Sequence, residues 1–383
     1  MINDQTQEVI DAAYAAVKGV TARFDRKWYL KAARDKAPTQ EMWKCMAAQG
    51  LLGIGVPEAY GGYGGGITGP VAVMEAMSRA GVPSFLFIVT AFTRSAILAG
   101  GTEDQRRLWV PPTVAGDLRM CFALTEPNAG TNSFNISTRA TRTASGSYKL
   151  NGQKIFTSGA DEADLMVVVA KIDDGKDGAD ISLFVVDTSA PGLTMQQLDI
   201  EMFAPERQFA VFFDDVEVSE GNRLGAEGSG KKLLFGALNP ERFLIAAWAL
   251  GLGELAISKG AAYAATRAPF GKPIGSYQAI QHPLAKAKIH LDAARLMLYD
   301  GCAEHDQHRD TGMKANMVKY LATTAANEAL EAAIQLHGGY AWDKGTDLIQ
   351  LWPMLRLMLQ SPINNEMILN FVGERLLGLP RSY

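Results

Sequence analysis

Residues 119–132 read RMCFALTEPNAGTN, and the chain changes character there. On the N-terminal side the apolar residues keep helical spacing. Ile10, Ala13, Tyr14 and Val17 recur at that period, as do Met42, Cys45 and Met46, with Leu51 after a turn. Helical patterns continue at about 70–80, 84–99 and 103–116, and GGYGGG (61–66) reads as a loop between helices. From 119 to about 226 the runs become short, β-branched and aromatic. LMVVVAKI (165–172) and ISLFVVD (181–187) read as strands flanking the polar DDGKDGAD, and FAVFFDDVEVS (209–219) as another. Asn151-Gly152, between KL and QKIF, predicts a hairpin turn. Beyond about 229 long helical segments return. Asn239-Pro240-Glu241-Arg242 reads as a helix start, with an Asn cap, Pro in the first turn and then an acid. That helix is expected to reach about 267, with others at about 276–305, 312–337 and 364–377. The expected fold class is α+β in three domains: 1–118 helical, 119–227 β and 228–383 helical, the outer two sharing a core.

Composition fits this layout. The chain has 383 residues, 48% hydrophobic and 20% charged, so it can bury a core without disulfide or metal staples. A net charge of −4 argues against a nucleic-acid partner, which needs a basic face. Cys45, Cys121 and Cys302 lie far apart, which excludes a disulfide framework and fits a reducing compartment. The opening MINDQTQEVIDAAYAAVKGV carries acids early and no basic region before an apolar stretch, so no targeting peptide is read and a cytoplasmic location is expected. The longest apolar runs, 243–253 and 163–170, are shorter than the roughly 20 residues of a membrane span, and none is expected.

Three local motifs carry little weight. Residues 64–69 (GGGITG) match the dinucleotide fingerprint in letters, but no strand precedes them and no acid follows at the needed spacing. Residues 225–232 (GAEGSGKK) resemble a phosphate loop but end in Lys where Ser or Thr should bind magnesium, and read as a turn opening a helix. His305 and His308 could form half a metal site, yet AEHDQHRD is polar all round and reads as a solvated helix end. No GxSxG elbow supports a hydrolase.

The stretch ALTEPNAGTN (123–132) resembles the first signature of the acyl-CoA dehydrogenases, flavoenzymes that oxidise acyl-CoA thioesters at C2–C3. Further features similar to that family follow in order: NGQKIF with Thr157-Ser158, FDDVEV (213–218), NPER (239–242), TRAPFGKPIGSYQAIQ (266–281) and QLHGGYAW (335–342). The resemblance covers nearly the whole chain. It implies an N-terminal helical domain, a middle β-barrel-like domain and a C-terminal four-helix bundle, with FAD between the last two. Phe122, Leu124, Thr125, Gly130, Thr131, Phe156 and Ser158 are then expected beside the flavin. Thr125 would offer its hydroxyl and N–H to the polar edge of the ring, where donors stabilise the reduced anion. Phe156 stands where many relatives have Trp, which keeps a flat apolar wall. Arg267 and Phe270 resemble a clamp on the FAD of a neighbouring subunit, a guanidinium suiting a pyrophosphate. Gln278 and the Q-x-x-G-G of Gln335, Gly338 and Gly339 belong to the same contact, and Asn364 and Glu366 to another. Thr131, Asn239 and Arg242 match positions facing the CoA thioester. The implied partners are an acyl-CoA, an electron-transfer flavoprotein and further copies of the chain, as a dimer or tetramer.

One departure stands out. Most relatives carry the catalytic glutamate in a Y-E-G-T-x-E/Q loop; here the stretch is SPINNE (361–366), which puts Pro362 at the base. Pro has neither a carboxylate nor an N–H for the thioester carbonyl. Isovaleryl-type and long-chain relatives place the base on the helix that opens the C-terminal domain, which corresponds to Glu241. The expected activity is FAD-dependent oxidation of an acyl-CoA to the 2-enoyl-CoA with Glu241 as base. The alternatives are a flavin oxidase or monooxygenase-like relative, or a catalytically degenerate subunit of a mixed oligomer.

Overall fold

A computed structural model describes residues 4–173 and 181–381. The polar stretch expected between the two strands at 165–187 falls largely outside the described residues. The first part is helical: α1 (Asp4–Thr21), α2 (Arg26–Asp35), α3 (Gln40–Ala48), α4 (Thr68–Arg79), α5 (Phe85–Gly100) and α6 (Glu103–Ala115). Local chemistry sets several of these ends. Ser84 Oγ accepts from Phe87 N at 3.2 Å and starts α5. Thr102 and Gln105 cap α6 reciprocally, and Gly116 ends it at φ 84°.

The middle part is a sheet of β1 (Met120–Ala123), β2 (Arg139–Arg142), β3 (Tyr148–Ser158), β4 (Leu165–Asp173), β5 (Ile181–Asp187), β6 (Leu193–Gln197), β7 (Gln208–Val218) and β8 (Arg223–Leu224). The order is β6-β7-β3-β2-β4-β5-β8, with β1 also on β4. β4 takes β1 and β2 in parallel, and the other pairings are antiparallel. Residues 166–170 and 181–186 are buried without alternation, because helices cover the sheet there.

The last part is α7 (Gly230–Thr266), α8 (Gln278–Asp306), α9 (Gly312–His337), α10 (Trp352–Met358) and α11 (Asn365–Arg375). The expected helical, β, helical order is therefore observed, and α7 joins the three parts. A Cβ on Gly230 would sit 2.1 Å from Ile181 O of β5. One on Gly251 would sit 2.4 Å from Ser78 Cβ and 2.5 Å from Glu75 O of α4. The Phe85 and Trp248 rings meet at 5.2 Å, which ties α5 to the same helix. By length and composition α7 could cross a bilayer, but 78% of its most apolar window is buried inside the protein, and it reads as a core helix.

Three local expectations are corrected. Asn151-Gly152 makes no turn: β3 runs straight through it with a bulge between Leu150 and Gly152. Gly152 adopts φ 148°, and a Cβ there would strike Thr138 within 3 Å. Asn239 is not an N-cap. α7 starts nine residues earlier, Pro240 lies inside it, and Asn239 Oδ1 accepts from Arg242 Nη1 at 2.7 Å. Pro240 is buried within the helix, where its ring removes one helix donor. The segment 303–310 is only partly solvated. His305 Nδ1 lies 3.0 Å from Thr311 Oγ1, and Asp306 accepts from Ile67 N at 2.6 Å and Thr68 Oγ1 at 2.7 Å, capping α4.

Candidate active site

A cavity of about 1590 Å³ lies among the sheet, α5, α7, α9 and the segment around α10 and α11. That is more than a drug-sized ligand needs, roughly 300–1,000 Å³, and suits a cofactor with a substrate beside it. The sheet side contributes Phe122, Leu124, Thr125, Gly130, Thr131, Phe156 and Ser158. Helix α7 contributes Glu241 and Arg242, and the C-terminal segment Asn364 and Glu366. These eleven sequence-predicted residues thus face one space. Asn239, Arg267, Phe270, Gln278, Gln335, Gly338 and Gly339 do not line it.

The loop bearing Thr125 is held by a buried ion pair that sequence reasoning missed. Lys154 Nζ donates to Glu126 Oε1 at 2.8 Å and to Leu124 O at 2.9 Å. Glu126 also accepts from the N–H and hydroxyl groups of Ser137 and Thr138. Burial alone would raise its pKa, but hydrogen bonds from Lys154, Ser137 and Thr138 outweigh that and hold the carboxyl well below the usual range. Burial pushes Lys154 the other way, below the usual lysine range. The strand also carries Lys149, Asn151 and Gln153, so the sequence did not set Lys154 apart.

Phe156 has φ 58°, next to a second register shift of β3 between Lys154 and Thr157. Its ring is 56% exposed and stands in the cavity. A bulge re-aims a side chain in this way, and left-handed backbone costs a bulky residue energy that persists where function needs the geometry. Beside it, Ser158 Oγ and the Gln208 amide exchange hydrogen bonds of 2.8–3.0 Å.

Glu241 is half-buried on the cavity wall and makes no hydrogen bond to the described residues. Burial pushes its carboxyl up to about 7, against the opposing pull of Arg242. The other cavity carboxylates differ. Glu201, Glu331 and Glu366 are exposed, and Glu328 lies 2.6 Å from His290 Nδ1. Arg242 is 6% exposed, bonded at Nη1 to Asn239, and its buried Nε has no partner.

Pro362 lines the same cavity as Glu241. Its segment hangs from a fully buried lysine: Lys319 Nζ donates to Ile363 O at 2.6 Å and Asn365 Oδ1 at 2.8 Å. Burial pushes this ammonium down to about 7, with Glu366 opposing. Asn364 caps α11 through Met367 N at 2.8 Å and reaches Thr131 Oγ1 at 3.2 Å, closing the C-terminal segment onto the sheet.

The remaining predicted residues form a second group at the far ends of α7 and α9. Arg267, Phe270, Gln278, Gln335, Gly338 and Gly339 are all exposed, Phe270 by 82%. The Arg267 guanidinium lies 5.9 Å from the Tyr340 ring, and Tyr263 stacks on His337 at 4.1 Å.

Sequence models of the N-terminal, middle and C-terminal domains of acyl-CoA dehydrogenases match residues 3–117, 121–216 and 228–377. The chain belongs to the acyl-CoA dehydrogenase family, and is an oxidoreductase of that class. Acyl-CoA dehydrogenase FadE12 of Mycobacterium tuberculosis is 40% identical over 96% of each chain. The structure of butyryl-CoA dehydrogenase from Megasphaera elsdenii superposes with a TM-score of 0.90 at 28% identity, covering 98% of this chain and 99% of that one. The FAD complex of PigA superposes at 0.89 with 26% identity, over 99% of both chains.

Proposed function

We propose that the protein is an FAD-dependent acyl-CoA dehydrogenase in which Glu241 is the base. The carrying observation is a half-buried carboxyl with no partner, raised to about 7, on the wall of a cavity large enough for flavin and thioester. Removing a proton from the carbon next to a thioester needs a base poised near neutral pH. Glu241 takes the C2 proton while the hydride leaves C3, and the C2–C3 double bond forms. FAD, held by the residues below, would supply the hydride acceptor, with an electron-transfer flavoprotein as the onward acceptor.

The residues fit that cofactor. Phe156 offers a flat apolar wall and Thr125 a hydroxyl and N–H on a loop fixed by the Glu126–Lys154 pair. Leu124, Gly130, Thr131 and Ser158 surround the same space, with Asn364 and Glu366 opposite. Arg242 lines the cavity as the candidate contact for the CoA thioester, and Asn239 holds its Nη1. Arg267, Phe270, Gln278, Gln335, Gly338 and Gly339 are too remote to act on this cavity, and their exposure supports their reaching the FAD of a second copy. The chain therefore works as a homo-oligomer.

Pro362 can neither take a proton nor donate an N–H, so the segment 361–366 shapes the wall while the chemistry rests on α7. Glu241→Gln tests this. The variant keeps its yellow flavin, while anaerobic bleaching by acyl-CoA slows by about 10²–10⁴-fold. Bleaching at the wild-type rate refutes the assignment.

A further inference from the structure

We infer that the acyl group this cavity accepts is flat, uncharged and ring-bearing, of the 3-arylpropionyl class. The inference rests on the dehydrogenase reading above and deepens it. Helices α5 and α7 run antiparallel. Phe85 packs on Trp248 at one end, and Ala99 faces Gly236 at the other. Phe92, midway, is therefore level with the turn that carries Glu241. Phe85, Val89 and Phe92 repeat at helical spacing, share one face of α5 and line the cavity. Seven residues of helix span about 10 Å, so this wall leads from the base to the start of α5.

The wall is aromatic and closed. Val89 and Phe92 are each 4% exposed, so they are packed into the core with only a small face on the cavity. The Phe92 and Phe122 rings meet edge to face at 5.3 Å and 63°. Phenyl edges and faces favour another ring over a flexible chain, and a ring of the same reach has fewer rotors to immobilise.

The far end cannot receive a second carboxylate. The N–H groups of Phe85 and Leu86, which would greet an anion at the start of α5, already donate to Glu206 Oε1 at 2.7 and 3.2 Å. Glu206 is 1% exposed, its Oε2 has no partner, and burial pushes its carboxyl up to about 7, so it fills the helix start without offering an anion a cation. The cations among the cavity-lining residues are Arg242 and Arg356, and neither lies on α5.

The test is anaerobic flavin bleaching of the holoenzyme by 3-phenylpropionyl-CoA, octanoyl-CoA, palmitoyl-CoA and glutaryl-CoA. The expected result is a bleaching efficiency at least about tenfold higher for 3-phenylpropionyl-CoA than for either straight chain, with glutaryl-CoA inert. Phe92→Leu keeps the site apolar but removes the ring, and lowers the phenylpropionyl-to-octanoyl ratio by about three- to tenfold. A straight chain preferred by the wild type, or bleaching by glutaryl-CoA, overturns the inference while leaving the dehydrogenase reading intact. An unchanged ratio in Phe92→Leu removes Phe92 from it. Bleaching by none of the four overturns both.

Discussion

Lys154 Nζ lies 2.8 Å from Glu126 Oε1, and neither side chain is more than 3% exposed. The pair pins the loop that presents Thr125, because the same ammonium also holds Leu124 O. Lys154→Met strands a buried carboxylate and is expected to destabilise the fold by about 3–5 kcal/mol, read as a drop in the denaturant midpoint. The hydrogen bonds to Glu126 hold its pKa down, so its stabilising contribution is present above the ordinary carboxylate range and is lost as pH falls through the depressed value. Glu126→Gln should lose stability at neutral pH and flatten the acid limb of the unfolding curve.

Glu241 runs in the opposite direction. Its carboxyl is raised to about 7, so the folded protein holds this proton between the ordinary value of 4.5 and 7. The associated stability is full below 4.5 and declines as pH rises through 7. Catalysis needs the deprotonated form, so kcat/KM should climb with pH through about 7. Lys319 is also held near 7, which makes the comparison with Glu241→Gln decisive. In that variant the stability loss across this window disappears, while Lys319 keeps its own titration.

Gly251 lies where α7 meets α4 with no room for a side chain. A Cβ would stand 2.5 Å from Glu75 O and 2.8 Å from Arg79 N, both backbone atoms that cannot swing aside. Gly251→Ala should cost about 1–3 kcal/mol by overpacking, seen as a lower Tm, despite the better helix propensity of Ala.

Phe156 holds a left-handed backbone with its ring mostly exposed. Phe156→Gly should therefore stabilise the flavin-free protein by about 1 kcal/mol, since glycine adopts that conformation without the steric penalty. Flavin retention on gel filtration should fall in the same variant. A protein that loses both would show that the ring serves packing rather than the cofactor.

The helical, β, helical order was legible because hydrophobic period reports burial directly. The errors came where a local signal met a tertiary demand. Asn151-Gly152 looks like a turn, but Gly152 is needed for the close approach of Thr138. Asn239-Pro240-Glu241-Arg242 looks like a helix start, but β5 and α4 sit against Gly230 and Gly251 and extend one continuous helix past it. The sheet-side residues that line the cavity were legible as a linear motif. Lys319 and Lys154 were not, since their partners lie 44 and 28 residues away. A lysine among the buried positions Ala315, Val318 and Ala322 of α9 was the available hint. Phe85, Val89 and Phe92 form a stripe that sequence cannot distinguish from ordinary core.

Helix α7 places the proposed base on the rod that fastens the two helical parts together. Glu241 and Gly251 are ten residues apart, about 15 Å along one axis, with Trp248 between them. The N-terminal helices cannot swing away from the C-terminal ones without dragging the carboxylate off its station. A jaw opening between the helical parts would therefore shift Glu241 relative to the cavity wall that Ile200 and Pro362 share with it. Damage at the Gly251 seam should accordingly be felt first as misaimed proton transfer, in protein that is still folded.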